Sequence, residues 1–226
     1  MRKKIVVILN VILIILMTIG LFLMFSRHSQ RSPGAFIERG FRNFRYFTIL
    51  SNVYSGLVAV VYVVLLICKG KAKDGTLMSI LKLTSSAAVG VTFTVVLIFL
   101  GPLYGFGRMY TGSNLIFHMI MPLVAMAEFV VFPAFENEED NNFSLKKCLY
   151  AGIPVLLYGS VYLISNIVSG TNETGQNPND FYGFLRWGYP VGILIFVVIV
   201  LIAIGIACFL RWIKKKGICH DKKRIL

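Results

Sequence analysis

Apolar residues gather into long runs along this chain, and short polar segments separate one run from the next. Each run is close to the length of about 20 residues that crosses a bilayer as a helix. We predict helices at about residues 5–25, 46–67, 80–100, 114–133, 148–168 and 188–210. Because these helices use nearly the whole chain, residues 1–226 are predicted to form a single all-α domain, a bundle of six transmembrane helices.

Composition supports a membrane protein, because 57% of the residues are hydrophobic, only 15% are charged and the mean hydropathy is +0.75. A soluble domain needs more polar surface than this. The first run follows Arg2, Lys3 and Lys4, as a signal peptide would. However, it exceeds the usual apolar stretch of about 7 to 15 residues, and no small-residue cleavage site follows it. We therefore expect a retained helix.

The basic residues predict the orientation. A cytoplasmic N-terminus puts most of the 23 Lys and Arg residues on the cytoplasmic side, with Lys82 counted in the second loop beside Lys69, Lys71 and Lys73. Both termini are then cytoplasmic in a multi-pass protein of the plasma membrane. The net charge of +13 reflects this topology and contact with anionic lipids, and no nucleic-acid partner is predicted.

The first loop carries arginines on the predicted outer side. Arg39, Arg42 and Arg45 recur every three residues among apolar ones, which indicates a short amphipathic helix on the membrane surface within residues 26–45. Contacts with lipid phosphates are the favoured role, and a substrate clamp is the alternative. If a substrate carboxylate is held, Arg42 or Arg45 is the candidate, through bidentate hydrogen bonds.

A polar stripe marks the start of helix 2. Thr48, Ser51, Asn52 and Ser55 recur at helical spacing and therefore share one face. Hydroxyl side chains in membrane helices commonly bond with the carbonyl one turn earlier, so packing accounts for them. Asn52 is more informative, because an amide in hydrocarbon requires hydrogen-bond partners.

Helix 4 carries His118 and Glu128. His118 lies about one turn inside the outer boundary. Two interpretations of it have equal support: a functional imidazole, or a neutral histidine that forms a hydrogen bond across the bundle. Pro122 is expected to kink the helix nearby. Glu128 lies about 15 Å further along the axis and about 80° around it, so it cannot readily orient His118. A buried pair near the inner boundary, or a side chain that reaches the cytoplasm, accounts for Glu128.

Helices 1 and 5 differ in polar content. Helix 1 has only Asn10 and Thr18 as polar interruptions, so it is predicted to pack at the periphery with lipid on most of its surface. Helix 5 carries Tyr158, Tyr162 and Asn166 four residues apart on one stripe, which predicts side chains that line a pocket.

The stripe of helix 2 and the histidine of helix 4 suggest one chemistry. Under the charge-based topology, Thr48 and His118 lie at similar depth, within about one helical turn. A hydroxyl and a neutral imidazole in hydrogen-bond reach form a nucleophile and its base, which can attack an ester carbonyl. Asn52, one turn below Thr48, is a candidate to orient the site or to donate to the oxyanion.

Two strings also carry a family resemblance: Tyr46-Phe47-Thr48-Ile49-Leu50-Ser51-Asn52 and His118-x-x-x-Pro122-x-x-x-x-x-Glu128. With six predicted helices, they resemble the bacterial predicted six-transmembrane membrane proteins, which are similar to the eukaryotic androgen-induced membrane protein family. The eukaryotic relatives are multipass hydrolases of fatty acid esters of hydroxy fatty acids, and by position within the two strings Thr48 and His118 match their threonine nucleophile and histidine. Bacterial relatives often carry aspartate and tryptophan where this chain has Glu128-Phe129.

The leading hypothesis is therefore a lipid-ester hydrolase in the outer half of the bilayer, with membrane lipids or a fatty-acid ester as partner and no cofactor or metal. Thr48 and His118 would be catalytic, and Ser51, Asn52 and Glu128 would support them. The remaining candidates would bind substrate: Arg42, Arg45, Tyr158, Tyr162 and Asn166. The alternative is a proton-responsive transporter or lipid-binding protein, although an inverted repeat and a string of acidic residues through the helices are both lacking. A scaffold with satisfied polar contacts is a third possibility.

Overall fold

The computed structural model of the protein describes residues 2–26, 40–69, 76–132, 145–170, 177 and 179–225. Within these ranges the chain forms helices and loops, without a β-strand. Six of the described helices are long and apolar enough to cross a membrane: Lys3–Ser26, Phe47–Cys68, Thr76–Tyr104, Ser113–Val131, Lys146–Ser169 and Tyr189–Lys216. The predicted all-α fold with six helices of membrane-spanning length and composition is therefore confirmed.

We number these helices α1 to α6, with bounds as follows. α1 is Arg2–Ser26, α2 is Phe47–Lys69, and α3 is Thr76–Val95 continued by the π-helical turn Val96–Leu100 and by Gly101–Tyr104. α4 joins Ser113–Leu115, the π-helical turn Ile116–Ile120 and Met121–Val131. α5 joins Leu145–Leu149, the 3-10 turn Tyr150–Gly152 and Ile153–Ser169, and α6 is Tyr189–Ile225. A 3-10 helix, Gly40–Arg45, precedes α2, and the single turn Phe106–Met109 lies between α3 and α4.

Consecutive helices run in opposite directions, so each end of the bundle collects alternate helix ends. Asn10 near the start of α1 and Lys82 near the start of α3 both contact Glu128 near the end of α4. We call this the Glu128 end of the bundle. The opposite end, where α2 and α4 begin, is the Thr48 end.

α3 lies at the centre of the bundle. In its most apolar stretch 67% of the helix is buried, whereas the corresponding value for α6 is 22%. Small residues allow this close packing, since Ser85, Ser86, Ala87, Ala88 and Gly90 are all buried. The sequence-based expectation that small residues on helix 3 serve packing agrees with this arrangement.

α1 lies at the periphery of the bundle, as its few polar residues predict, because only 28% of its most apolar stretch is buried. Ile8, Ile15 and Phe22 are exposed, whereas Asn10 is completely buried. Gly20 lies so close to α4 that an added Cβ would be 2.5 Å from the ring of Phe117. The buried face of α1 therefore belongs to the core.

The two π-helical turns each precede a proline by two residues, Pro102 in α3 and Pro122 in α4. In a regular α-helix, Pro122 would lack the N–H that pairs with the carbonyl of His118, and its ring would clash with that carbonyl. The wider turn relieves this conflict, with Met121 N–H bonding to Ile116 O instead. The predicted distortion beside His118 thus takes the form of a π-helical turn.

Two predictions concern residues that lie partly outside the described ranges. The amphipathic helix of the first loop is represented by Gly40–Arg45, while Arg39 lies outside the described residues. Lys71 and Lys73 also lie outside them. The prediction of orientation from basic residues places Lys82 in a loop, but Lys82 is a buried residue of α3.

Candidate functional site

Two tyrosine hydroxyls hold the start of α2, where Thr48 lies. The hydroxyl of Tyr158 in α5 donates to Arg45 O at 2.7 Å. The N–H of Phe47, one of the first-turn donors that a helix leaves unsatisfied, donates to the Tyr182 hydroxyl at 3.0 Å. Burial raises the pKa of Tyr182 to about 12, so this hydroxyl stays protonated at neutral pH. The backbone immediately before Thr48 is therefore fixed.

His118 is buried in the π-helical turn of α4, and its ring is oriented by the backbone. Its Nδ1 lies 2.8 Å from Met109 O, in the single-turn helix Phe106–Met109. A carbonyl can only accept, so Nδ1 carries the hydrogen. In the neutral imidazole Nε2 then has a free lone pair, which is the form that a general base requires.

Thr48 and His118 line the same cavity. Its volume is about 60 Å³, and Tyr46, Tyr104 and Tyr182 also contribute to its wall. A water molecule needs about 10–15 Å³ of such space, so the cavity has room for a few waters or a small polar group. The depth prediction for these two helices is therefore matched by a shared cavity, although the described hydrogen bonds do not join Thr48 directly to His118.

Asn52 is completely buried and bridges α2 to α4. Its Nδ2 donates to Thr48 O at 2.7 Å and to Phe117 O at 2.9 Å. Both amide hydrogens are therefore used on backbone carbonyls, so of its two predicted roles the geometry fits orientation of the site and not donation to an oxyanion. Its Oδ1 is buried without a hydrogen-bond partner among the described residues.

Ser51 takes part in packing. Its hydroxyl bonds with Thr48 O at 3.1 Å and with Thr92 Oγ1 of α3 at 3.0 Å. These contacts tie α2 to the central helix and leave Thr48 as the hydroxyl of the stripe that faces the His118 cavity.

A larger groove lies between α2 and α5. It has a volume of about 540 Å³, and Tyr158 and Tyr162 line it as the spacing on helix 5 predicts. Asn166, the third member of that stripe, has contacts of another kind. Its Nδ2 donates to Tyr162 O and to Asn179 O, so it fastens the loop before α6 to the end of α5. The prediction that Asn166 lines a pocket is therefore not matched by its contacts.

The two candidate arginines occupy different positions. Arg45 lines the groove, with its guanidinium 4.4 Å from the ring centre of Phe181 and its Nη2 3.3 Å from the Tyr46 hydroxyl. Arg42 is exposed on the 3-10 helix. Of the two, Arg45 is the one positioned to meet a molecule in the groove.

Glu128 is part of a buried charged triad at the opposite end. Lys82 Nζ lies 2.7 Å from Glu128 Oε1 and 2.8 Å from Asn10 Oδ1, while Asn10 Nδ2 donates to Glu128 Oε1 at 2.8 Å. The rings of Tyr62 and Phe132 face the ammonium group at 4.6 and 5.0 Å. The predicted buried pair thus has Lys82 as its partner, and Glu128 belongs to this triad and not to the His118 cavity.

Sequence reasoning missed Lys82 and Asn10 as members of this triad. Asn10 and Lys82 are 118 and 46 residues from Glu128 in the chain, so no local spacing links the three. The available signal was that Lys82 precedes Ser85 and Ser86 by three and four residues, which places all of them on one helix face.

The described residues contain no group of three or more His, Cys, Asp or Glu side chains that could hold a metal ion. Comparisons with models of protein families, with curated proteins and with solved structures gave no match. The fold and the residues themselves therefore carry the functional argument.

Proposed function

We propose that the protein is a multi-pass membrane hydrolase of lipid esters, with Thr48 as nucleophile and His118 as base. The observation that supports this best is the cavity that Thr48 and His118 share, in which the Met109 carbonyl fixes the His118 ring with Nδ1 protonated. A second support is the larger groove between α2 and α5, which Arg45, Tyr158 and Tyr162 line.

The proposed reaction uses these two residues. Nε2 of His118 takes the Thr48 proton as Oγ1 attacks the ester carbonyl, and the same proton passes to the departing alcohol. Water, activated by Nε2, then cleaves the acyl-threonine and releases the fatty acid. Asn52 keeps the two helices in register by bonding with Thr48 O and Phe117 O.

The proposed orientation places the Thr48 end of the bundle at the outer side of the plasma membrane, with both termini in the cytoplasm. With Lys82 assigned to α3, the remaining Lys and Arg residues still favour it. The site would then lie in the outer half of the bilayer, close to the lipid head groups.

The test is covalent labelling of the purified protein with a fluorophosphonate probe, together with hydrolysis of p-nitrophenyl esters. We expect Thr48→Ala and His118→Ala to lose labelling and at least about 100-fold of the hydrolysis rate, because nucleophile and base are each removed. Thr48→Ser keeps a hydroxyl and should retain activity. Ser55→Ala, which removes a buried hydroxyl from the same stripe, is the matched control. Undiminished hydrolysis by folded Thr48→Ala protein would overturn the proposal.

The buried triad favours a second candidate function, proton-responsive transport. An ionisable pair held between three membrane-length helices is a common element of such proteins. The discriminating experiment is proton-dependent flux in proteoliposomes. Flux that Glu128→Gln abolishes, in a protein that takes no label at Thr48, would replace the hydrolase assignment.

A further inference from the structure

The groove between α2 and α5 opens on the membrane-facing surface of the bundle. Leu50, Leu157 and Val161 line it and are 39%, 65% and 67% exposed. Its floor includes Ala88 of the central helix, which is completely buried. The groove is thus a recess that reaches from the lipid-facing surface to the core.

The groove has the length and polarity of one half of a bilayer. Its lining on α5 extends from Pro154 to Ser165, which is about 16 Å at 1.5 Å per residue. One leaflet contributes about half of the roughly 30 Å hydrocarbon core. Arg45, Ser165 and Asn179 give the Thr48 end of the groove a polar rim. The other end is lined by apolar side chains and by Tyr54, whose hydroxyl already bonds with Thr84 Oγ1. This gradient matches one acyl chain with its polar group at the rim.

Tyr158 and Phe47 separate this groove from Thr48. Both line the groove and also a cavity of about 40 Å³ that Thr48 lines as well. Thr48 in turn lines the His118 cavity. The hydroxyl of Tyr158 donates to Arg45 O at 2.7 Å, which holds this side chain at the boundary of the two spaces. A molecule in the groove therefore meets Tyr158 before it meets Thr48.

We propose that the groove binds a single acyl chain of a membrane lipid, and that Tyr158 is the residue that controls its access to Thr48. The inference rests on the proposed function for its catalytic part, whereas chain binding stands on the groove alone. Because Tyr158 borders both the groove and the small cavity that Thr48 lines, removal of its ring should join the two spaces.

The binding part is tested by photo-crosslinking in liposomes of phosphatidylcholine that carries a diazirine on one acyl chain. We expect labels on the α3 peptide that contains Ala88, because bulk lipid does not reach this buried position. Val161→Trp should fill the groove and reduce that labelling at least fivefold. Ile164→Trp, at a neighbouring position that is 60% exposed and outside the groove lining, should not change it. Equal labelling of the α3 peptide in the two variants, or none in the wild type, would overturn chain binding.

The access part uses Tyr158→Ala and Tyr158→Leu, so that one variant remains informative if the other fails to fold. In the same liposomes we expect labels to appear on the peptide that contains Thr48, whereas Tyr158→Phe, which keeps the ring, should hold them out. The ratio of kcat/KM for p-nitrophenyl palmitate to that for p-nitrophenyl acetate should rise about tenfold in the Ala and Leu variants. Labels that stay in the groove in both variants would overturn the role of Tyr158. Labels at Thr48 without any esterase activity would instead retain the access path and remove the proposed hydrolase.

Discussion

The two ends of the bundle handle buried polar groups in opposite ways. At the Glu128 end, two charged groups and one amide are in direct contact: those of Lys82, Glu128 and Asn10. The side chains of Lys82 and Glu128 are only 2% exposed. At the Thr48 end, the polar side chains that border the cavities of about 60 and 40 Å³ are hydroxyl, amide and imidazole groups. Charge alone would point to the first cluster as the functional one, yet the second has the space that a reacting molecule needs.

The difference is physical. A buried charge is tolerated only when a partner compensates it, so the ammonium and carboxylate groups of the triad are held at 2.7 Å and their surroundings are filled by aromatic rings. Neutral hydroxyl, amide and imidazole groups cost less to desolvate and can border a cavity. The triad therefore fits a role in fixing α1, α3 and α4, while the Thr48 end retains room for a ligand.

The largest effect is expected from Lys82→Met. This change leaves the Glu128 carboxylate buried without its cation and should lower the free energy of unfolding by about 3–5 kcal/mol. Unfolding of the purified protein by SDS in mixed micelles measures it. The exposed Lys215→Met is the control, and the double variant Lys82→Met/Glu128→Gln should recover part of the loss. If Lys82→Met is as stable as the wild type, the triad does not stabilise the Glu128 end of the bundle.

A smaller effect is expected from Gly20→Ala at the other end. The new methyl group would lie 2.5 Å from the Phe117 ring, so the ring must shift, at a cost of about 1–3 kcal/mol. The shift should also disturb the Asn52 bond with Phe117 O and thereby the esterase activity. Gly205→Ala in α6, where an added Cβ meets no atom within 4 Å, is the matched control. Equal stability of the two variants would contradict close packing of α1.

The smallest effect is expected from Ser51→Ala. It removes the hydrogen bond with Thr92 Oγ1 and should lower the free energy of unfolding by about 0.5–1.5 kcal/mol. The same SDS titration measures the change. A loss as large as that of Lys82→Met would mean that the neutral stripe contributes as much to the stability of the bundle as the charged triad does.

Hydropathy predicted the six helices because each apolar run can be recognised from its own residues. Contacts between segments that are distant in the chain cannot be recognised in this way. Lys82 was counted in a loop because a lysine inside a membrane helix is costly, and the Glu128 carboxylate that compensates it lies in another helix. The i to i+4 spacing found Tyr158 and Tyr162 but also selected Asn166, which turns to the loop at Asn179. Tyr182 had no helical pattern to reveal it, because a loop folds it against α2.

The π-helical turn at Ile116–Ile120 also sets the angular relation between the two ends of α4. A π-helical turn accommodates one residue more than an α-helical turn, and each residue of an α-helix advances the side chains by about 100°. The turn therefore changes the rotation of one part of α4 about the helix axis relative to the other part. As a result, His118 faces the Thr48 cavity while Glu128 faces Lys82. Evolution could retune one end of this helix by a single insertion or deletion in the turn without disturbing the charged contacts of the other.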